Sequence, residues 1–171
     1  SNIQEKSFTK LRPGHADYAG YVKYGFQDLR NVLERSSARK TAIEVAVGSV
    51  AKQILNQFNI DCLSTVIQIG NAKVENCPNY EWDKLKELSE ESDVRCWDKE
   101  TSEQMKHEID KAKEEGTTLG GKFEIYYKNL PVGLGSYVHY DRAIDGLIAQ
   151  TVMSIPAVKA VEIGAGVNVS A

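Results

Sequence analysis

The sequence predicts an α+β fold, and three observations predict it. Over residues 37–58, Ala42, Ile43, Val45, Ala46, Val47, Val50, Ala51, Ile54 and Leu55 fill most of the circumference of one long helix, leaving a narrow polar stripe at Thr41, Glu44, Lys52 and Asn56. A helix apolar nearly all round is buried on more than one side. Residues 62–74 and 119–130 alternate with period two, as half-buried strands do: Leu63, Thr65, Ile67 and Ile69 in the first, Phe123, Ile125 and Tyr127 in the second. Residues 141–155 form a second nearly all-apolar helix through Ile144, Leu147, Ile148, Val152, Met153 and Ile155. Buried helices with half-polar strands call for sheets outside and helices between them, although periodicity alone gives no more than α+β.

The remaining elements follow in order. Residues 3–11 are a short approach, with Phe8 and Leu11 as anchors. A first helix runs from about Ala16 to Lys23, with Asp17 favourably placed near its positive end. Tyr18, Tyr21 and Tyr24 recur at helical spacing, so their rings pack or stack on a ligand, packing being the preferred reading. Gly25 and Gln27-Asp28 break the chain before Asn31. Asn71, Asn76, Pro78 and Asn79 mark a loop after the first strand. Trp82, Leu85 and Leu88 make a thin stripe on a short helix. Thr101 with Gln104 forms a capping box for another helix carrying Met105, Ile109 and Ala112, which Gly116 stops. Charge fills the rest of residues 75–117, which are expected to be a peripheral, variable insertion in a single domain of residues 1–171. Asp141 caps the second apolar helix, Pro156 ends it, and Val158–Ile163 is a last strand.

Composition narrows the function. A net charge of −3 gives no reason to expect nucleic acid or an acidic membrane surface as partner. Three cysteines without metal-type spacing, and no long apolar run, point to a reducing cytoplasm. Gly133-Leu134-Gly135 is not a nucleotide fingerprint, because no third glycine and no βαβ context follow.

Positive charge is concentrated locally. Ser36 or Ser37 is a good N-cap for the long helix, yet the acid of a capping box is replaced by Arg39 and Lys40. With Arg35, these cations crowd an end that is already electropositive, at about 0.3–1 kcal/mol each when exposed. A bound anion, held by arginine forks, hydroxyls and backbone N–H groups, resolves the conflict. The alternative is a solvated basic turn without a ligand. His15 is presented from the turn Arg12-Pro13-Gly14-His15, and imidazole is the side chain best suited to moving a proton near neutrality. An ordinary loop histidine is the competing reading.

The stretch RPGHADYAGYVKYGFQDLRNVLERSSARKTA, residues 12–42, resembles the central signature of chorismate synthases, and GLGSYVHYDRAIDGLIAQTVMSIPAVKAVEIGAG, residues 133–166, resembles a second signature of that family in the expected order. Residues from about Gly70 to Gly120 match little. The resemblance implies a β-α-β sandwich with buried central helices between antiparallel sheets. It implies anti-1,4-elimination of phosphate from 5-enolpyruvylshikimate 3-phosphate to give chorismate, with reduced FMN as cofactor, in a cytoplasmic homotetramer. It places His15 near the flavin, Arg12 and Arg39 at the substrate's anionic groups, Arg35, Ser36 and Ser37 on FMN, and Pro156-Ala157 at a second flavin contact. Lys40 stands where the family usually has glutamate, and Ala165 where many members have aspartate.

The family's Gly-Glu-Ser-His-Gly stretch, with its other catalytic histidine, does not occur here. The chain therefore corresponds to a central portion of a protein roughly twice as long, expected to be inactive alone. Two other readings stand beside the enzyme: a structural or oligomerising fragment, and a stand-alone anion-binding module.

Overall fold

A computed structural model describes residues 7–75 and 78–170. Residues 3–6 of the expected approach, and Asn76 and Cys77 of the expected loop, lie outside the described residues. The chain divides into two compact units, Ser1–Gln53 with Pro131–Ala171, and Ile54–Leu130.

The first unit opens with α1 (Asp17–Tyr24) and α2 (Arg30–Ser36). Gly25 turns left-handed at φ +67° and returns its N–H to the Tyr21 carbonyl at 2.8 Å, closing α1. The helices meet at Gly20, where an added Cβ would come within 2.5 Å of a Val32 methyl. Leu29 and Val32 are buried there. The break expected at Gln27-Asp28 is present, residues 25–29 lying outside both helices, and Asp28 Oδ1 holds it by accepting from the backbone N–H of Arg30 at 3.0 Å and of Phe8 at 3.2 Å. Tyr18, Tyr21 and Tyr24, expected to pack, are exposed.

The long helix α3 (Lys40–Gln57) forms as expected but has no buried residue. Val45 is 72% exposed and Ile43 70%. The second apolar helix, α4 in this unit (Ile144–Met153), likewise has none. Its N-cap is Ala143, not Asp141, which belongs to a 3₁₀ turn over Tyr140–Arg142. The apolar pattern foretells a need for cover, and nothing among the described residues supplies it. Residues 158–163 form no strand, since no partner strand lies beside them among the described residues.

The second unit holds the sheet. Strands β1 (Asp61–Ile69), β2 (Ala72–Lys73) and β3 (Gly121–Lys128) run antiparallel in the order β2-β1-β3. A bulge between Val66 and Gln68 shifts the β1–β3 register. Gly70, at φ +57°, takes the first position of the two-residue turn into β2, where side chains are disfavoured.

Two helices pack on the sheet, α5 (Trp82–Glu91) and α6 (Lys99–Glu115). Leu63, Leu85 and Trp97 form one buried cluster with Tyr126, and Ala72, Cys96 and Met105 another with Val66 and Ile69. The helices α5 and α6 and the segment between them thus supply much of this unit's core. Tyr126 points inwards, so Phe123, Ile125 and Tyr127 fall on the opposite, partly exposed face. Asp98, rather than a Thr101 capping box, caps α6 by accepting from the Thr101 N–H at 2.8 Å. The α+β class holds. Of the sandwich, the described residues contain one sheet, and its central helices are uncovered.

Met105 is fully buried. Met105→Ala is expected to lower stability by about 2–5 kcal/mol in urea unfolding, whereas Val47→Ala on exposed α3 changes it by no more than about 0.5 kcal/mol. A comparable loss at Val47 would show that α3 is covered in solution.

Candidate functional site

The turn before α1 builds a tight polar cluster. Pro13 and Gly14, the latter at φ +71°, fold the chain back so that Arg12 and His15 converge on Asp17. Arg12 grips the Asp17 carboxylate as a fork, Nε to Oδ2 and Nη2 to Oδ1, both at 2.8 Å. Its backbone N–H adds a bond to Oδ2 at 3.1 Å. His15 Nδ1 lies 2.9 Å from Asp17 Oδ1 and 2.9 Å from Arg12 Nη2.

Asp17 is 0% exposed, while the Arg12 and His15 side chains retain 36% and 31% exposure. The cluster is therefore a buried anion beneath two partly open cationic or titratable groups. The hydrogen bonds from the Arg12 side chain hold the Asp17 carboxyl far below the usual carboxylate range, against the opposing effect of burial, and Asp17 in turn raises Arg12. Asp17 was legible in the sequence only as an acid at a helix start. Its position two residues after the histidine was the signal that went unused.

The second cluster lies at the α2–α3 junction. Arg35, Arg39 and Lys40 line a cavity of about 930 Å³ together with Glu34, Glu44, Asn31, Phe26 and Ile43. The expected caps are distributed differently. Ser36 ends α2 and its hydroxyl donates to the Val32 carbonyl at 2.7 Å. Ser37 is the C-cap of α2, and its Oγ accepts from the Arg39 N–H at 3.3 Å. The N–H groups of Lys40, Thr41 and Ala42 bond back to the carbonyls of Ser37, Ala38 and Arg39 at 3.1–3.3 Å. These N–H groups are spent within the chain, so gripping an anion here falls to side chains.

Those side chains are weakly committed. Arg39 meets Glu34 at 3.3 Å, with the two side chains 70% and 54% exposed. Lys40 pairs with Glu44 at 3.0 Å one turn on, the less favourable order along a helix. Exposed pairs of this kind contribute about 0–1 kcal/mol, so a multiply charged ligand can displace them. The structure thus brings Arg12 to His15, and Arg35 to Arg39 and Lys40. Arg12 and His15 are not among the residues lining the cavity.

Pro156-Ala157 forms the turn after α4, closed by the Val158 N–H to the Ile155 carbonyl at 3.2 Å. Ala157 sits at φ +69°, where a side chain costs about 1–2 kcal/mol relative to glycine. Backbone strain of this kind collects at ligand-contacting turns. Among the described residues no group of His, Cys, Asp and Glu is arranged to hold a metal ion, and no helix is long and apolar enough to cross a membrane.

Comparison with known proteins decides the family. The chorismate synthase family profile matches residues 1–171. The chain belongs to the chorismate synthase family. It is 51% identical over 172 residues to the chorismate synthase of Koribacter versatilis, covering 99% of this chain and 44% of that protein. It is 46% identical over 166 residues to chorismate synthase 2 of Bacillus cereus, covering 97% of this chain and 43% of that one. A crystal structure of a chorismate synthase superposes with a TM-score of 0.81 at 46% identity, covering 91% of this chain and 48% of that chain. The chain therefore spans less than half the length of the chorismate synthases it matches.

The Asp17 bonds fix the sign of one pH dependence. Its folded pKa lies below its usual 3.8, so the stability it contributes is fully present above that value and is lost as pH falls below it. Urea midpoints followed from pH 7 to pH 2 are expected to fall for the native chain. Asp17→Asn is expected to lower the neutral-pH midpoint and flatten that part of the acid limb. An unchanged acid limb would remove Asp17 from the account.

Proposed function

We propose that this chain is the central portion of a chorismate synthase, a carbon–oxygen lyase that eliminates phosphate from 5-enolpyruvylshikimate 3-phosphate in the presence of reduced FMN. The observation that carries the reading is the clamp of Arg12 and His15 on buried Asp17, within a chain that matches the family along its whole length. Arg12 keeps an exposed edge beyond its bond to Asp17, which suits a substrate carboxylate or phosphate. Arg39, loosely paired, supplies a second cation for the same substrate. His15 stands beside the flavin as a proton carrier.

The residues proposed for FMN fit an aromatic anion. Arg35 stands with Arg39 and Lys40 around the cavity as a cationic lining for a phosphate, and Phe26 and Ile43 add apolar surface for a ring. Ser36 and Ser37, which follow Arg35 in the chain, and the Pro156-Ala157 turn are proposed as further FMN contacts, although none of the four lines this cavity. Reduced flavin, when bound, supplies an electron-rich ring. The protein's share is to orient the two anions, shield them from water and hold the His15 proton.

The whole enzyme is proposed to be a cytoplasmic homotetramer, with the rest of its chain covering the apolar faces of α3 and α4. Residues 75–117 are proposed to be a variable insertion whose helices serve the second unit's own core.

Two measurements test the reading. Anaerobic incubation of this 171-residue chain with reduced FMN and substrate is expected to give no chorismate absorbance, because much of the pocket wall belongs to the remainder of the enzyme. Turnover would overturn that part. FMN titration is expected to show weakening of about tenfold or more in Arg35→Ala, the usual scale for losing a charge-assisted bond. Equal binding by both proteins, or none by the native chain, would count against the cavity as a flavin site.

A further inference from the structure

We infer that Asp17 is a positioning residue that locks His15 as the tautomer protonated on Nδ1, leaving the Nε2 lone pair as the working end of the ring. This rests on the proposed role of His15, but the geometry of the cluster argues it independently of any ligand.

A neutral imidazole carries one proton, and His15 Nδ1 has two competing neighbours at the same distance of 2.9 Å. Asp17 Oδ1 only accepts, so a bond to it requires Nδ1–H. Arg12 Nη2 only donates, so a bond from it requires an Nδ1 lone pair. The two cannot hold together, and burial decides between them.

Each Asp17 oxygen has two accepting positions. Oδ2 takes the Arg12 backbone N–H and Nε, while Oδ1 takes Arg12 Nη2 and faces His15. Asp17 is wholly enclosed, so no solvent reaches Oδ1 if His15 turns a lone pair towards it. That arrangement would leave a buried carboxylate oxygen one donor short and facing another lone pair, which is the costly error. Arg12 is a third exposed, and the Nη2 proton that His15 declines can be hydrated. The carboxylate therefore takes the imidazole proton.

In free imidazole side chains the tautomeric choice is soft, and a carboxylate at Nδ1 fixes both the ring orientation and the nitrogen left as base. His15 Nε2 has no protein partner among the described residues, and the side chain is 31% exposed. The ring thus keeps one basic nitrogen without a protein partner among the described residues. The Arg12 fork and the imidazole share one anchor, so Asp17 also fixes the spacing between the anion-gripping group and the proton-holding group.

The test is nitrogen NMR of the chain labelled with ¹⁵N-histidine, near pH 8, with no flavin or substrate present. His15→Gln assigns the signal among the three histidines of the sequence. His139 is an internal control, because its Nδ1 meets Asp141 Oδ1 at 2.9 Å with both side chains about 60% exposed. The expected result is a His15 protonated predominantly on Nδ1, while exposed His139 shows the ordinary mixture. Asp17→Asn, whose amide can turn a donor towards Nδ1, is expected to reverse the His15 preference to Nε2–H, and Asp17→Glu to restore it at least in part.

A native His15 protonated on Nε2 overturns the inference, and so does an unchanged tautomer in a folded Asp17→Asn. Should that variant fail to fold, the native spectrum alone decides. Failure to bind FMN would sink the flavin reading and leave the tautomer standing, so the two outcomes separate cleanly.

Discussion

A single enclosed carboxylate sets the terms for the first unit's polar chemistry. Asp17 is buried at the start of α1, where burial by itself would favour its neutral form, and the Arg12 fork with a backbone N–H keeps it ionised instead. Once ionised and shut away from water, it must have donors, and that demand holds Arg12 and His15 in place. The turn Pro13-Gly14 is shaped by the same requirement, since both donors must reach one residue from the same side. Among the described residues Asp17 is the acid that pairs with both side chains.

The arginine cluster at the α2–α3 junction works on the opposite principle. Its cations are exposed, their acidic partners are equally exposed, and the backbone donors of the helix start are already satisfied. Such a surface is inexpensive to rearrange. A rigid clamp at Arg12–His15 and an adaptable group at Arg35, Arg39 and Lys40 suit the proposed division of labour, in which one ligand meets a fixed proton carrier and another is held chiefly by charge.

Periodicity conveyed which segments are helices and strands because α3, α4 and the two long strands each carry an unbroken repeat. The same repeat overstated burial: an apolar face records what a segment needs, not whether the partner lies within the same stretch of chain. Residues 158–163 failed as a strand for the same reason, since pairing is a property of two segments. The apolar stripe of the α5–α6 region is thin, and Leu85, Trp97 and Met105 are enough to fill a small core when a sheet face is at hand. Arg12, His15 and the arginine group were legible from their chemistry. Asp17 was overlooked because its favourable position at a helix start seemed a sufficient explanation, and the capping role given to Ser36 and Ser37 missed that a short helix ends there before the long one begins.

Every group in the Asp17 clamp lies within five residues of its partner. Closing so short a loop carries a small entropic penalty, and contacts of this range form on the timescale of tens of nanoseconds. The clamp is thus assembled by local chain geometry as soon as the first turn of α1 exists. More distant segments of a chain can then pack onto a clamp that is already in register, instead of having to create it.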